Sequence, residues 1–326
     1  MKRFVLCVII MAAFAFVGCG GPAETPDGAQ SADSGQQLEI AVIPKGLTHQ
    51  FWVSVKNGAE AAAAELDAQI VWQGPPRETE IEQQISIVQD MITRGVDAIV
   101  LAACDANALT GVVEQADRAG IPVVMVDSDV NSDIPKSLVA TDNIEGGAIA
   151  VRVLAQLLDG EGDVGLLPFV PGAATSELRE QGFREELPTF PGLRLAAANY
   201  SQSDAAIGMN VTSDMLTAYP DIVGIFAANE PGAIGAAQAL RTAGKVGEVK
   251  LVAFDASAEQ LTALQDGVVQ ALLVQDPFKM GYEAVRVAVD ALHGEEVPKR
   301  IDTGVTVITL ENLDDPDVQA LLAGGK

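Results

Sequence analysis

Cysteine is nearly absent from this chain, and what little there is cannot cross-link it. Three occur in 326 residues, and two of them, Cys7 and Cys19, fall in an apolar leader. Only Cys104 is left for the body, so no internal disulfide can form and the fold must rest on its core. Histidine is rarer still, with only His49 and His293, which leaves little material for a metal site or acid–base chemistry. Basic residues are also few: 20 Lys and Arg against 45 Asp and Glu give a formal net charge of −25. That balance argues against nucleic acid or an anionic lipid surface as a direct partner. Aromatics make up 5% of the chain and hydrophobic residues 48%, an aliphatic composition suited to an α/β core. The sequence has no Walker phosphate loop, no H-E-x-x-H and no G-x-S-x-G.

The N-terminus reads as a segment outside the fold. Lys2-Arg3 is a basic start and Phe4 to Val17 an apolar stretch too short to span a bilayer comfortably, so residues 1–18 are expected to be a signal peptide. Its end, Phe16-Val-Gly-Cys19, resembles the lipobox of bacterial lipoproteins, in which the peptidase cuts before the cysteine and the thiol carries the lipid. Phe16 stands where leucine is usual, which leaves ordinary signal-peptidase cleavage as the alternative. Residues 20–37 hold no apolar side chain larger than alanine or proline and cannot bury enough surface to order themselves. Residues 19–37 are therefore expected to be a flexible linker anchored through Cys19.

The body alternates strand and helix. Leu38-Glu-Ile-Ala-Val-Ile43 predicts a strand, and residues 51–66 predict a helix with Trp52, Val55, Ala59 and Leu66 on one face. Strands at 70–72, 97–102 and 121–126 follow, separated by helices at 79–93 and 107–119. After a break at Thr141-Asp142-Asn143 the pattern restarts, with helices at 145–158, 176–187, 204–218 and 232–243 between strands at 163–167, 193–198, 222–226 and 249–254. A short strand near 269–274, a helix at 278–292 and strands within 300–309 close the chain. Such alternation implies parallel sheets with helices on both faces and right-handed connections. The fold class expected is α/β, with two doubly wound lobes.

Two apolar runs end in aspartate, Ile121-Pro-Val-Val-Met-Val-Asp127 and Lys250-Leu-Val-Ala-Phe-Asp255, one in each half. Ligands of open α/β sheets gather outside the carboxyl ends of the strands. Two facing sheets would aim both carboxylates at one small polar molecule. Asn229 and Gln275 also follow apolar strands, and carboxylates and amides together suit vicinal hydroxyls. Phe51 and Trp52, at the start of the first helix, could pack on the C–H face of a sugar ring, although Trp52 also fits the core side. For any one strand-end Asp a helix N-cap is the ordinary alternative.

Other motifs fail on context. Gly160-Glu-Gly162-Asp-Val-Gly165 leaves a helix and enters a strand, the reverse of a dinucleotide fingerprint. Asp127 to Asp133 mimics the start of a calcium loop, but Ser132 replaces the glycine and Leu138 the closing glutamate. Cys104 with His49 lacks an orienting third group for a nucleophile pair, and His293 in Leu-His-Gly reads as a helix end.

Gln50-Phe-Trp-Val-Ser-Val-Lys-Asn-Gly-Ala59, Val139-Ala-Thr-Asp-Asn-Ile-Glu-Gly-Gly147, Arg179-Glu-Gln-Gly-Phe183, Phe226-Ala-Ala-Asn-Glu230, Val252-Ala-Phe-Asp-Ala256 and Gln275-Asp-Pro-Phe-Lys-Met-Gly281 are the distinctive segments. Through them the chain resembles the periplasmic sugar-binding proteins of ribose-binding type, the solute receptors of ABC transporters, over about residues 38–310. The resemblance implies lobes of 38–141 plus 276–304 and 142–275 plus 305–326, joined by a three-strand hinge. It implies ligand contacts from His49, Phe51, Trp52, Asp127, Asn229, Asp255 and Gln275. Two family arginines are replaced, with Ser128 and Glu177 in their places. Ile43-Pro-Lys45 and Val126-Asp-Ser-Asp129 look instead like the autoinducer-2 and rhamnose receptors, which adds Lys45 and a role for Asp127.

The function expected is non-catalytic capture of a monosaccharide or sugar alcohol for a membrane ABC permease. The expected protein is an exported monomer, periplasmic or at the cell surface, with no cofactor or metal. The alternative is a sensory module presenting a ligand to a membrane receptor.

Overall fold

A computed structural model describes residues 37–324 of the chain. The expected signal peptide, Cys19 and the expected linker up to residue 36 lie outside the described residues. Strand β1 (Leu38–Ile43) leads to α1 (Gln50–Glu65), β2 (Ala68–Trp72), α2 (Ile81–Arg94), β3 (Ala98–Leu101), α3 (Thr110–Arg118), β4 (Val123–Val126) and β5 (Leu138–Ala140). The second half runs α4 (Asn143–Leu157), β6 (Glu161–Leu167), α5 (Ala174–Glu186), β7 (Gly192–Ala198), α6 (Ala205–Ala218), β8 (Ile222–Ala227), α7 (Glu230–Ala243), β9 (Lys250–Phe254), α8 (Ala258–Gln265) and β10 (Ala271–Gln275). Last come α9 (Pro277–Leu292), β11 (Arg300–Asp302), β12 (Val305–Ile308) and α10 (Pro316–Leu322).

These strands form two six-stranded sheets with the same plan. The first has the order β2-β1-β3-β4-β5-β11 and the second β7-β6-β8-β9-β10-β12. All pairs are parallel except β10 with β12. This is the doubly wound 2-1-3-4-5 arrangement, used twice, with one further strand on each edge. Each sheet is covered on both faces because its strands alternate two apolar sets. In the first, Ile40, Val42, Val100 and Val124 face α1 and α9, while Ala41, Ile43, Ile99 and Met125 face α2 and α3. In the second, Ile225, Leu251 and Leu272 face α7, and Phe226, Val252 and Phe254 face α4 and α5.

The chain passes between sheets three times: at 141–142, at Asp276 and at 303–304. The first and third crossings are tied together. Thr141 Oγ1 donates to the Gly304 carbonyl at 3.0 Å, and Asp142 N–H donates to Asp302 Oδ1 at 3.2 Å. Gly304 takes φ +80° there, a left-handed turn that glycine enters without steric cost. Helix α9 returns to the first lobe and lies tightly on α1: a Cβ on Gly58 would come within 1.9 Å of the Phe278 carbonyl, and one on Gly281 as close to that of Val55. No helix among the described residues is long and apolar enough to cross a membrane.

Three elements go beyond the sequence reading. Strand β5 has three residues, α8 eight and α10 seven. All are shorter than the windows over which an apolar period can be counted.

Candidate ligand-binding site

The two strand-end aspartates occupy equivalent places. Asp127 follows β4 and donates its N–H to the Val139 carbonyl of β5. Asp255 follows β9 and donates to the Leu273 carbonyl of β10, both at 2.9 Å. Each takes a left-handed backbone, φ 59° and 72°, which is uncommon outside glycine and which aspartate tolerates better than most side chains. Both carboxylates line one cavity between the lobes, about 290 Å³ of atom-free space partly open to solvent.

On the first lobe, Lys45 follows β1 and is 3% exposed. Its Nζ lies 2.9 Å from Asp127 Oδ2 and donates at 2.9 Å to Thr175 Oγ1, which belongs to the other lobe. The contact with Asp127 is close but poorly aligned, because Oδ2 makes no well-directed hydrogen bond. Burial works to lower the Lys45 pKa, but Asp127 and then Glu78 outweigh it, so the ammonium is held charged. The fully buried Gln84 fixes the loops beneath it, donating to the Pro44 and Ala102 carbonyls and accepting from Cys104 N–H.

Glu78 is the hub of this wall. Its Oε1 accepts from Trp52 Nε1 at 3.0 Å and lies 3.5 Å from His49 Nδ1. Its Oε2 accepts from Ser203 Oγ of the second lobe at 2.9 Å. Burial opposes the charge on Glu78, yet Lys45, His49 and Trp52 together hold its carboxyl well below the usual carboxylate range. His49 is raised in turn: burial pulls it down, and the Glu78 hydrogen bond and charge, with Glu230 and Asp255, overcome that.

On the second lobe, Arg179 of α5 is 2% exposed. Its Nε donates to Asn143 Oδ1 at 2.8 Å and its Nη1 to the Ala228 carbonyl at 2.6 Å. Its guanidinium carbon lies 3.7 Å from the centroid of the Phe254 ring. Burial lowers its pKa, and Asp255, Asp127 and Glu78 act against that fall. Asn229 divides its amide: Oδ1 caps α7 by accepting from Gly232 N–H at 3.1 Å, and Nδ2 donates to Ser203 Oγ at 2.8 Å. Asp255 accepts from Gln275 Nε2 at 2.8 Å and from Glu230 N–H at 3.0 Å. Its pKa is raised, chiefly by burial. Gln275 Oε1 is buried and finds no partner among the described residues. An acceptor in that state calls for a donor such as a hydroxyl.

Eight of the ten residues singled out in the sequence line this cavity: Lys45, His49, Phe51, Trp52, Asp127, Asn229, Asp255 and Gln275. Two do not. Ser128 is fully buried behind Asp127 in the chain and outside the lining. Glu177 sits in the first turn of α5, exposed, where Oε1 accepts from Gly172 N–H at 3.0 Å. The cavity does hold an arginine that the sequence reading did not single out. Arg179 lies two residues beyond Glu177, and a step of two on a helix turns to the opposite side. The sequence reading also missed Glu78, Phe169, Thr175 and Glu230 as lining residues. Glu78 belongs to a loop with no periodicity, whereas Arg179 and Glu230 lie inside segments already marked as distinctive. Trp52 is both core and wall: it is 1% exposed and edge-on to Phe51, with centroids 4.9 Å apart.

Cys104 is not prepared as a nucleophile. Burial, followed by Glu78, pushes the Cys104 thiol far up, and its Sγ donates to the Lys45 carbonyl. Asp129 in the calcium-like run turns back to accept from Val130 N–H. The arrangement offers buried cations, carboxylates and amides facing one small volume, the equipment for holding a polar molecule by many hydrogen bonds.

Comparison with known proteins agrees. The chain belongs to the family of the periplasmic binding protein domain, whose pattern matches residues 40–296. The ribose import binding protein RbsB of Bacillus subtilis is 30% identical over 311 residues, 95% of this chain and 99% of that protein. The D-ribose/D-allose-binding protein of Pseudomonas aeruginosa is 29% identical over 323 residues, 97% and 98% of the two chains. Among solved structures, an ABC transporter solute-binding protein of Agrobacterium vitis bound to alpha-D-tagatopyranose has a TM-score of 0.85 at 34% identity, covering 87% of this chain and 99% of that one. Another from the same organism, with D-fucose, has a TM-score of 0.84 at 38% identity, covering 86% and 98%.

Proposed function

We propose that this protein is the substrate-binding component of an ABC sugar transporter, closing its lobes on one monosaccharide or sugar alcohol and presenting it to a membrane permease. The observation that carries the reading is the pair Asp127 and Asp255, equivalent by fold and turned into one cavity from opposite lobes. Lys45, His49, Phe51, Trp52, Asn229 and Gln275, with Glu78 and Arg179 added, complete the contact set. Solved relatives with a bound ketose or deoxyaldose support the same ligand class. Ligand binding then favours the closed arrangement of the hinge. The chain works without a cofactor, as an exported monomer held to a membrane by lipid on Cys19. Its lobes divide as 38–141 plus 276–304 and 142–275 plus 305–326.

A thermal-shift screen of aldoses, ketoses and sugar alcohols tests it. A stabilising hit should come off the denatured protein chemically unchanged in mass spectrometry, and its binding should withstand EDTA. A panel without any hit, or a ligand released as a different compound, overturns the reading.

A further inference from the structure

Helix α1, with His49 at its N-cap position, carries Phe51 and Trp52 to the cavity, yet its N-terminus has no side-chain cap of its own. The first backbone N–H groups of a helix need acceptors, and here the acceptor comes from the other lobe. Glu230, first residue of α7, accepts from Gln50 N–H with Oε1 and from Phe51 N–H with Oε2, both at 3.2 Å. Its own N–H is fixed by Asp255 Oδ2. A chain of direct contacts therefore runs from a ligand-facing carboxylate of one lobe to the helix that bears the ligand-facing aromatics of the other.

We propose that Glu230 is a positioning residue for ligand capture: it caps α1 in trans when the lobes meet, and so sets His49 and Phe51 against the ligand only in the closed form. The inference rests on the two-lobe capture reading above. A negative group at a helix N-terminus is favoured by both the free N–H groups and the helix dipole. This cap forms only on closure, so its whole effect falls on the bound state and none on the open one.

The test compares wild type with Glu230→Ala and Glu230→Gln, using D-ribose, D-allose, D-tagatose and D-fucose as probes. The alanine variant should bind its best sugar about tenfold more weakly, the effect of losing one good cap, with a faster off-rate and an unchanged melting temperature without sugar. The glutamine variant keeps an acceptor and should fall between. Amide hydrogen exchange gives the decisive readout, because Gln50 and Phe51 should be protected on sugar addition in wild type and not in the alanine variant. Equal protection in both, or a lowered sugar-free melting temperature with normal affinity, overturns the proposal and leaves Glu230 a local structural residue. If no sugar binds wild type, the capture reading falls. The cap acts only on the closed, sugar-bound form and falls with that reading, whereas equal protection in proteins that do bind sugar overturns the cap alone.

Discussion

The two lobes share a strand order and a left-handed aspartate at the same strand end, but they finish their helices differently. In the second lobe α4, α6, α7 and α8 are each capped by their own side chain: Asp142, Asp204, Asn229 and Ser257. In the first lobe α1, α2 and α3 have no such bond and only α9 is capped, by Asp276, while α5 and α10 of the second lobe also lack one. The site repeats the contrast. The second lobe holds Arg179 with its own Asn143 and Ala228, whereas Lys45, Glu78 and α1 of the first reach across to Thr175, Ser203 and Glu230. The second lobe's buried cation is held within its own lobe, whereas Lys45 and Glu78 of the first divide their contacts between their own lobe and the other.

The largest break in that contrast is expected at Arg179. Arg179→Met keeps the stem and removes the fork, leaving Asn143 Oδ1 and the Ala228 carbonyl buried without donors, at roughly 1–3 kcal/mol each. Urea unfolding of the sugar-free protein should show a loss of about 3 kcal/mol. A loss indistinguishable from zero would mean that the second lobe does not depend on its own wiring.

The aspartates come next. Asp127→Asn and Asp255→Asn should each weaken binding about ten- to a hundredfold, since hydrogen bonds to charged groups contribute roughly 1.5–3 kcal/mol. Their sugar-free stabilities should diverge. Asp127→Asn strips buried Lys45 of its counter-ion and should be destabilising. Asp255 is a carboxylate that burial disfavours, so its amide should melt no lower than wild type. Calorimetric titration beside melting curves checks both, and equal stabilities would erase the asymmetry drawn here.

A smaller effect is expected from a cap that belongs to one lobe alone. Asp204 Oδ1 accepts from Ile207 N–H at 2.9 Å, and Asp204→Ala should cost about 1 kcal/mol with or without sugar. A cost appearing only with sugar would place this cap in the same class as Glu230.

The finest effect concerns His49, read by proton NMR titration. Its native pKa stands above the ordinary 6.5, with Glu78 the chief reason that burial does not win. A histidine raised in the native state contributes stability that is fully present below its unfolded value and is lost as pH rises through the native value. Glu78→Gln should move the native value down and shrink that stabilisation. A His49 titration unmoved by Glu78→Gln would remove Glu78 from its place as hub.

The doubly wound plan was legible in the sequence because long apolar strands and 3.6-residue periods repeat along the body. Asp127 and Asp255 were legible because a charge ending a buried run stands out. Short elements such as α8 were not, although Ser257 and Gln260 form a complete capping box there. Glu177 and Arg179 show where reading by position failed: they lie two residues apart on one helix, and only its rotation decides which faces the cavity. Contacts between lobes, such as Glu78 with Ser203 over 125 residues, carry no local signal.

The pairing of α1 with α9 has a consequence for how the molecule comes into being. The two helices touch backbone to backbone through Gly58 and Gly281, so a segment with a side chain at that crossing could not lie as close to α1. Residues 277–292, and then the edge strand 300–302, must be present before the first lobe can close its core. The part made first is therefore finished last. For most of synthesis the emerging polypeptide holds an exposed apolar face on β1, β3 and α1, and the later-born lobe has nearly all its own strands in hand before the earlier one is sealed. Contacts this distant in sequence fold slowly, and the first lobe lacks part of its core and its edge strand until residue 302 of 326 has joined it.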